Sequence, residues 1–81
     1  MLTAMELVLI TGNDCHLCER AREVLDSLSL EAREIDVGSH EAHELAASGV
    51  PLALLPVLWD GERVLAYGRF SERALRRKVA A

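Results

Sequence analysis

The sequence predicts an α/β fold in which strands and helices follow one another along a single domain. Two observations carry this prediction. An apolar run, an amphipathic helical pattern and a second strand-like run come in order, and such a unit joins two parallel strands by a right-handed crossover. Later, Asp60-Gly61 between two apolar runs is a tight-turn signal that predicts an antiparallel hairpin. The predicted order over the 81 residues is strand, helix, strand, helix, strand, strand, helix, with the core between about residues 6 and 79.

The first half of the chain contains the strand–helix–strand unit. Glu6–Ile10 is short, apolar and partly β-branched, which is typical of a buried strand. Asn13 or Asp14 is well suited to cap a helix over residues 15 to about 28, whose apolar side chains fall on one stripe. Leu30–Val37 is predicted to be the second strand, because two β-branched residues face one way between charged ones.

The second half predicts a helix, a hairpin and a last helix. Ser39 and Ser71 are placed to cap the two helices through their hydroxyl groups. Gly49 stands where a glycine often follows a helix, and Phe70 with Leu75 matches a hydrophobic staple across the second cap. The predicted bounds are His40–Ala47, Val57–Trp59, Val64–Tyr67, and Glu72 to about Val79.

The composition argues against several classes of function. The net charge is −4, and no aromatic-rich basic surface is visible, so we do not expect nucleic-acid binding. No apolar run approaches the length needed to span a bilayer, and residues 1–10 lack the basic start and cleavage site of a targeting signal. We therefore expect a soluble, monomeric protein of the cytoplasm, where thiols are kept largely reduced.

The basic residues are nonetheless unevenly distributed, since most lie in the last fifth of the chain. One interpretation is a solvated helix face whose cations complement the C-terminal end of the helix dipole. The other is electrostatic attraction of a partner or an anion. The residues concerned are Arg63, Arg69, Arg73, Arg76, Arg77 and Lys78.

Two cysteines, Cys15 and Cys18, begin the first predicted helix with two residues between them. A Cys-x-x-Cys motif beside a strand–helix–strand pattern is typical of a thiol–disulfide redox site. Cys15 lies next to the unpaired N–H groups and the positive end of the helix, and both favour the thiolate and lower the thiol pKa. Cys18 lies one turn further in and is less exposed. We therefore predict that Cys15 attacks a substrate disulfide and that Cys18 resolves the mixed disulfide.

Two neighbouring side chains are predicted to tune this site in opposite directions. A partly protonated His16 near Cys15 stabilises the thiolate, whereas the carboxylate of Asp14 disfavours it. The alternative interpretation of His16 is an exposed imidazole that points to solvent.

A zinc site is the main chemical alternative for the cysteine pair. His40 and His43 complete a set of two cysteines and two histidines. However, the two histidines are closer in sequence than the usual three to five intervening residues, and the predicted core does not need a metal. We therefore expect no metal, and regard the histidines as part of a solvated helix face.

Four motifs together resemble glutaredoxin-like members of the thioredoxin superfamily. They are Cys15-His16-Leu17-Cys18, Leu55-Pro56-Val57-Leu58, Asp60-Gly61, and Gly68 before a final helix. The chain looks most like the small bacterial proteins with no proline between the cysteines. The resemblance implies a four-stranded mixed sheet flanked by helices, with a cis-proline that opens the third strand and packs against the cysteines. Pro56 matches that position better than Pro51.

The resemblance also implies a function and a substrate site. The function is reduction of protein or small disulfides without a bound cofactor, with glutathione or a thioredoxin-reductase-type flavoprotein as electron donor. Leu55 and Pro56 would offer backbone groups to an extended substrate, and Gly68, Arg69 and Ser71 would form a partial glutathione carboxylate site. The chain departs from glutathione-binding members before the first cysteine, where Asn13 and Asp14 replace a basic residue. The alternatives are a dedicated electron donor to one reductase and a non-catalytic redox- or metal-sensing module.

Overall fold

The structure is a computed structural model that describes residues 6–80. The single domain predicted over residues 1–81 extends beyond this range at both ends, by residues 1–5 and residue 81. Within the range, the elements follow one another in the predicted order: β1 (Leu7–Thr11), α1 (His16–Ser27), β2 (Ala32–Asp36), α2 (His40–Ala47), β3 (Val57–Trp59), β4 (Val64–Tyr67) and α3 (Glu72–Ala80). None of the helices in residues 6–80 is long and apolar enough to cross a membrane.

The strands form one mixed sheet in the order β2-β1-β3-β4. β1 and β2 are parallel, with Leu7 opposite Ala32 and Thr11 opposite Asp36. β3 is antiparallel to both β1 and β4. The parallel pairing of β1 with β2 and the hairpin predicted from the sequence are therefore confirmed, as is the four-stranded mixed sheet that the resemblance implied.

β1 is apolar on both faces because helices cover both faces of the sheet. Leu7 and Leu9 join a core shared with α1 and α3, whereas Val8 and Ile10 join a core shared with α2. All four are at most 5% exposed, and successive residues of a strand point to opposite faces. A core on each side thus fixes the end of β1, from which residues 12–14 lead to the first cysteine.

Some predicted bounds are wrong by one or two residues. β1 begins and ends one residue later than predicted, α1 is one residue shorter at each end, and α3 is one residue longer. The predicted strand Leu30–Val37 begins two residues too early and ends one residue too late. Its start is wrong because the N–H of Leu30 donates to the carbonyl of Leu25 (2.9 Å) and closes the end of α1. The bounds predicted for α2, β3 and β4 are confirmed.

Serine caps begin both later helices, as predicted. The Oγ atoms of Ser39 and Ser71 each accept a hydrogen bond of 3.2 Å from the backbone N–H three residues later. Phe70 and Leu75 are both buried across the second cap, as a hydrophobic staple requires. The cap fixes the start of α3 relative to the end of β4, where Gly68 connects the two elements.

The hairpin turn between β3 and β4 is held by the carboxylate of Asp60. Its Oδ1 atom accepts hydrogen bonds of 2.8 Å from the backbone N–H groups of Glu62 and Arg63. These bonds, led by the one from Arg63, lower the pKa of Asp60. A lowered pKa in the folded protein means that the ionised carboxylate stabilises the fold above the unfolded pKa of about 4, and that this contribution is lost as the pH falls further.

We therefore expect Asp60→Asn to lower the free energy of unfolding at pH 7 by about 1 kcal/mol, since a charged acceptor forms the stronger hydrogen bonds. The difference from the wild type should shrink as the pH falls below about 4. Urea unfolding at several pH values measures both effects. Glu62→Gln is the matched control, because it removes an exposed neighbouring charge that accepts no hydrogen bond in the turn. A constant difference from pH 7 to pH 3 would contradict the role of the Asp60 carboxylate.

Candidate active site

Cys15 lies at the junction between β1 and α1, where the chain turns from strand to helix. Asp14, just before it, adopts φ of +52°, a left-handed conformation that aspartate tolerates better than most residues. Gly12 earlier in the same loop approaches the loop before β3, since a Cβ atom placed there would lie 2.9 Å from Cδ1 of Leu55. The sheet thus brings two segments together that are about 40 residues apart in the sequence.

The cap of α1 is Cys15 itself, and the prediction of Asn13 or Asp14 as the cap is wrong. Cys15 has an extended backbone, with φ of −111° and ψ of 102°, and its side chain occupies the cap position. Its Sγ atom accepts a hydrogen bond of 3.1 Å from the backbone N–H of Cys18. Sulfur here performs the task that an oxygen of serine or aspartate performs in other helices.

Cys15 and Cys18 form a disulfide in this structure, with their Cα atoms 5.2 Å apart. Cys18 is only 1% exposed and belongs to the core, whereas Cys15 is partly exposed. A thiol must be reachable to attack a disulfide on another molecule, and a buried thiol one turn away can only attack a partner already bound. Cys18 is thus the less exposed of the two cysteines, as the sequence predicted, and the roles of attacking and resolving thiol stay a prediction.

A surface depression of about 320 Å³ lies beside Cys15. Asp14 and His16 both line it, and both are exposed. Glu19 and Arg22 are further lining residues that the sequence analysis did not single out. Both residues could have been found from the sequence, because they lie one and two helical turns after Cys15 on the same face of the predicted helix.

Arg22 does not face the depression as an unpaired cation. Its guanidinium forms two hydrogen bonds to the carboxylate of Glu34 in β2, at 2.9 and 2.6 Å, and the hydroxyl of Thr11 donates to the same carboxylate at 3.1 Å. The bonds from Arg22, followed by that from Thr11, lower the pKa of Glu34. This network connects α1 to the end of β1 and to the middle of β2. Arg22 and Glu34 also line a larger depression of about 600 Å³ that contains neither cysteine.

The Leu55–Pro56 peptide bond is cis, whereas Pro51 is not preceded by a cis bond. Pro56 is fully buried and Leu55 partly exposed. The N–H of Gly68 donates to the carbonyl of Pro56 at 2.9 Å and to that of Leu54 at 3.1 Å. Gly68 therefore fixes the loop that contains the cis-proline.

Arg69 and Ser71 lie apart from the depression beside Cys15. Both line a different depression of about 190 Å³ between β4 and α3. Arg69 is exposed, and the hydroxyl of Ser71 is used by the helix cap. Of the predicted glutathione-carboxylate residues, only Gly68 is linked to the cis-proline loop by hydrogen bonds.

His40 and His43, the other half of the alternative zinc set, are exposed on α2. The Nε2 atom of His40 lies 3.3 Å from a carboxylate oxygen of Glu44. In the part of the chain that the structure describes, no three histidine, cysteine, aspartate or glutamate side chains are arranged to hold a metal ion. The residues therefore do not fit a zinc site.

Comparison with known proteins agrees with this geometry at the level of the fold. No protein-family model matches the chain, and no curated protein matches it significantly in sequence. Solved structures do match. The chain has the thioredoxin/glutaredoxin fold.

Two of these structures illustrate the similarity. The glutaredoxin-like protein NrdH-redoxin from Escherichia coli matches with a TM-score of 0.68 and 24% identity, over 90% of this chain and 93% of that one. Glutaredoxin 1 from Francisella tularensis, complexed with cacodylate, matches with a TM-score of 0.67 and 21% identity, over 95% of this chain and 98% of that one. The fold that the resemblance implied is thus confirmed.

Proposed function

We propose that this protein is a thiol–disulfide oxidoreductase that reduces disulfides in the cytoplasm as a monomer. The observation that carries the proposal is the position of Cys15 as the cap of α1. In the reduced protein, its sulfur remains next to the backbone N–H groups of the first turn. A thiolate accepts such hydrogen bonds more strongly than a thiol does, so the cap position lowers the pKa of Cys15 and activates it.

In the proposed reaction, the Cys15 thiolate attacks one sulfur of a substrate disulfide. A mixed disulfide forms, and the other substrate sulfur leaves as a thiolate. Cys18 then loses its proton to solvent and attacks Sγ of Cys15, which releases the second substrate sulfur as a thiolate. Two electrons have passed to the substrate, and the Cys15–Cys18 disulfide that remains is the form seen in this structure.

The cis-proline loop supports the same proposal as the place where a substrate chain binds. Leu55 is partly exposed, and its side chain lies against Gly12 in the loop that leads to Cys15. An extended substrate would hydrogen-bond to the backbone of Leu55 beside the buried Pro56. The N–H of Gly68 holds this loop in place through its hydrogen bonds to the carbonyls of Leu54 and Pro56.

The electron donor is proposed to be a flavoprotein reductase in preference to glutathione. Asp14 and Glu19 line the depression beside Cys15, and Arg22 is already paired with Glu34. The negative charges of Asp14 and Glu19 therefore disfavour the approach of an anionic thiol such as glutathione. Arg69 and Ser71 also lie in another depression. The Escherichia coli glutaredoxin-like protein of similar fold has a thioredoxin-like activity profile, which favours the same donor.

A turnover assay tests the proposal against a non-catalytic sensing module. The protein is given bis(2-hydroxyethyl) disulfide with NADPH and either thioredoxin reductase or glutathione plus glutathione reductase. We expect continuous NADPH consumption that depends on the protein, and a faster rate with thioredoxin reductase. A single round of oxidation that neither system reverses would contradict the catalytic role and favour the sensing module.

A further inference from the structure

The arginines of this protein fall into two groups, according to whether they form ion pairs. Five of the nine lysine and arginine residues lie within 4.0 Å of a carboxylate: Arg20, Arg22, Arg33, Arg63 and Arg76. Lys78 donates a hydrogen bond of 2.7 Å to the carbonyl of Leu65 at the sheet edge. Arg69, Arg73 and Arg77 form no ion pair with any carboxylate of residues 6–80, although acidic residues outnumber basic ones in the sequence.

These three residues, the α3 arginine surface, are all exposed and are spaced four residues apart. Arg73 and Arg77 lie one helical turn apart on α3, whose inward residue Leu75 is buried. Arg69 lies between the end of β4 and the start of α3. Three unpaired positive charges therefore extend from the cis-proline side of the sheet along one helix.

Stabilisation of the helix does not account for this arrangement. A cation near the C-terminal end of a helix is favourable, which explains Arg77. Arg73 lies in the first turn of α3 and Arg69 precedes it, where the helix end is itself positive and a cation is unfavourable. Two of the three charges are thus placed against the helix dipole. A local cost of this kind is typical of residues kept for interaction with a partner.

An exposed apolar pair borders the α3 arginine surface on the side of the cis-proline loop. Leu54 and Tyr67 are 55% and 54% exposed, unlike the other large apolar side chains of the described residues. Gly68, next to Tyr67, donates a hydrogen bond to the carbonyl of Leu54. Tyr67 and Arg69 line the same depression. Aromatic and arginine side chains together are the composition that protein interfaces favour.

We infer that the α3 arginine surface, with Leu54 and Tyr67, binds an acidic protein surface and presents its disulfide to Cys15. This inference rests on the proposed function and adds a class of substrate to it. The three arginines attract and orient the acidic partner. The exposed side chains of Leu54 and Tyr67 supply apolar contact next to the cis-proline loop. The net charge of −4, with Asp14 and Glu19 beside Cys15, disfavours acidic groups at the redox site itself, so the acidic residues of the partner lie away from its disulfide and against the α3 arginine surface.

Two disulfide-containing peptides test the inference. They are identical except for a block of four glutamates in one and four lysines in the other, which a neutral glycine–serine linker separates from the disulfide so that the charges lie away from Asp14 and Glu19. Neutral bis(2-hydroxyethyl) disulfide is the reference substrate. In the Arg73→Gln/Arg77→Gln variant we expect kcat/KM for the glutamate peptide to fall about three- to tenfold at low salt. The difference should disappear in 1 M salt, where screening is nearly complete. The rate with the reference substrate should be unchanged.

The matched control is Arg20→Gln/Arg63→Gln, which removes the same charge from arginines paired with Glu23 and Asp60. If the control loses as much as the test variant, or if the wild type prefers the lysine peptide or neither peptide, the inference is wrong while the proposed function stands. If the wild type reduces none of the three substrates, the proposed function itself fails.

Discussion

The Cys18→Ser variant is expected to accumulate a mixed disulfide between Cys15 and a substrate, and to lose more than about 90% of its dithiol turnover. Cys15 is the partly exposed cysteine and can still attack. Without Cys18, no thiol is positioned one turn away to release the product, so the covalent adduct persists. Mass spectrometry of the variant after incubation with a disulfide peptide measures the adduct directly.

The Cys15→Ser variant is the control for this trapping experiment. Its remaining thiol, Cys18, is 1% exposed, and a buried thiol does not reach a substrate disulfide. We expect neither turnover nor adduct, because the attacking atom has been removed. An adduct on Cys18 in this variant, with full turnover by Cys18→Ser, would reverse the two roles.

The Leu58→Ala variant is expected to lose about 2–5 kcal/mol of unfolding free energy. Leu58 is 0% exposed at the centre of β3, in the core that α1 and α3 share. The total for a domain of this size is only about 4–12 kcal/mol, so the loss is a large fraction of it. Urea unfolding followed by circular dichroism measures the change.

The matched control is Leu54→Ala, which removes the same atoms from a side chain that is 55% exposed. Its effect should stay within about 0.5 kcal/mol, as for most surface substitutions. Equal losses in the two variants would show that burial in this core does not determine stability. That result would contradict the assignment of β3 to the centre of the sheet.

Much of the fold could be predicted because its signals are local. The bounds of α2, β3 and β4 follow from serine caps, the prolines and the Asp60-Gly61 turn, each of which acts within a few residues. The end of α1 could not be predicted to the residue, since Leu30 is apolar enough for a strand. In the structure, however, the N–H of Leu30 donates to the carbonyl of Leu25 and so belongs to the end of the helix.

The candidate site was harder to predict in detail. Asn13 and Asp14 are better helix caps than cysteine by general preference, so the sequence could not indicate that Cys15 takes that position. The contacts between Arg22, Glu34 and Thr11 join residues 12 and 23 positions apart. Such contacts depend on the pairing of β1 with β2 and have no local signature.

The measurement that tests the account most directly is the pKa of Cys15 in the reduced protein. The rate of alkylation by iodoacetamide, followed by mass as a function of pH, reports each thiol separately. A cap position predicts a Cys15 pKa below about 7.5, with Cys18 at or above the ordinary value of about 8.5. The same sample in a glutathione redox buffer should form the Cys15–Cys18 disulfide reversibly. Two thiols with ordinary pKa values that do not pair would leave the fold in place and contradict the catalytic proposal.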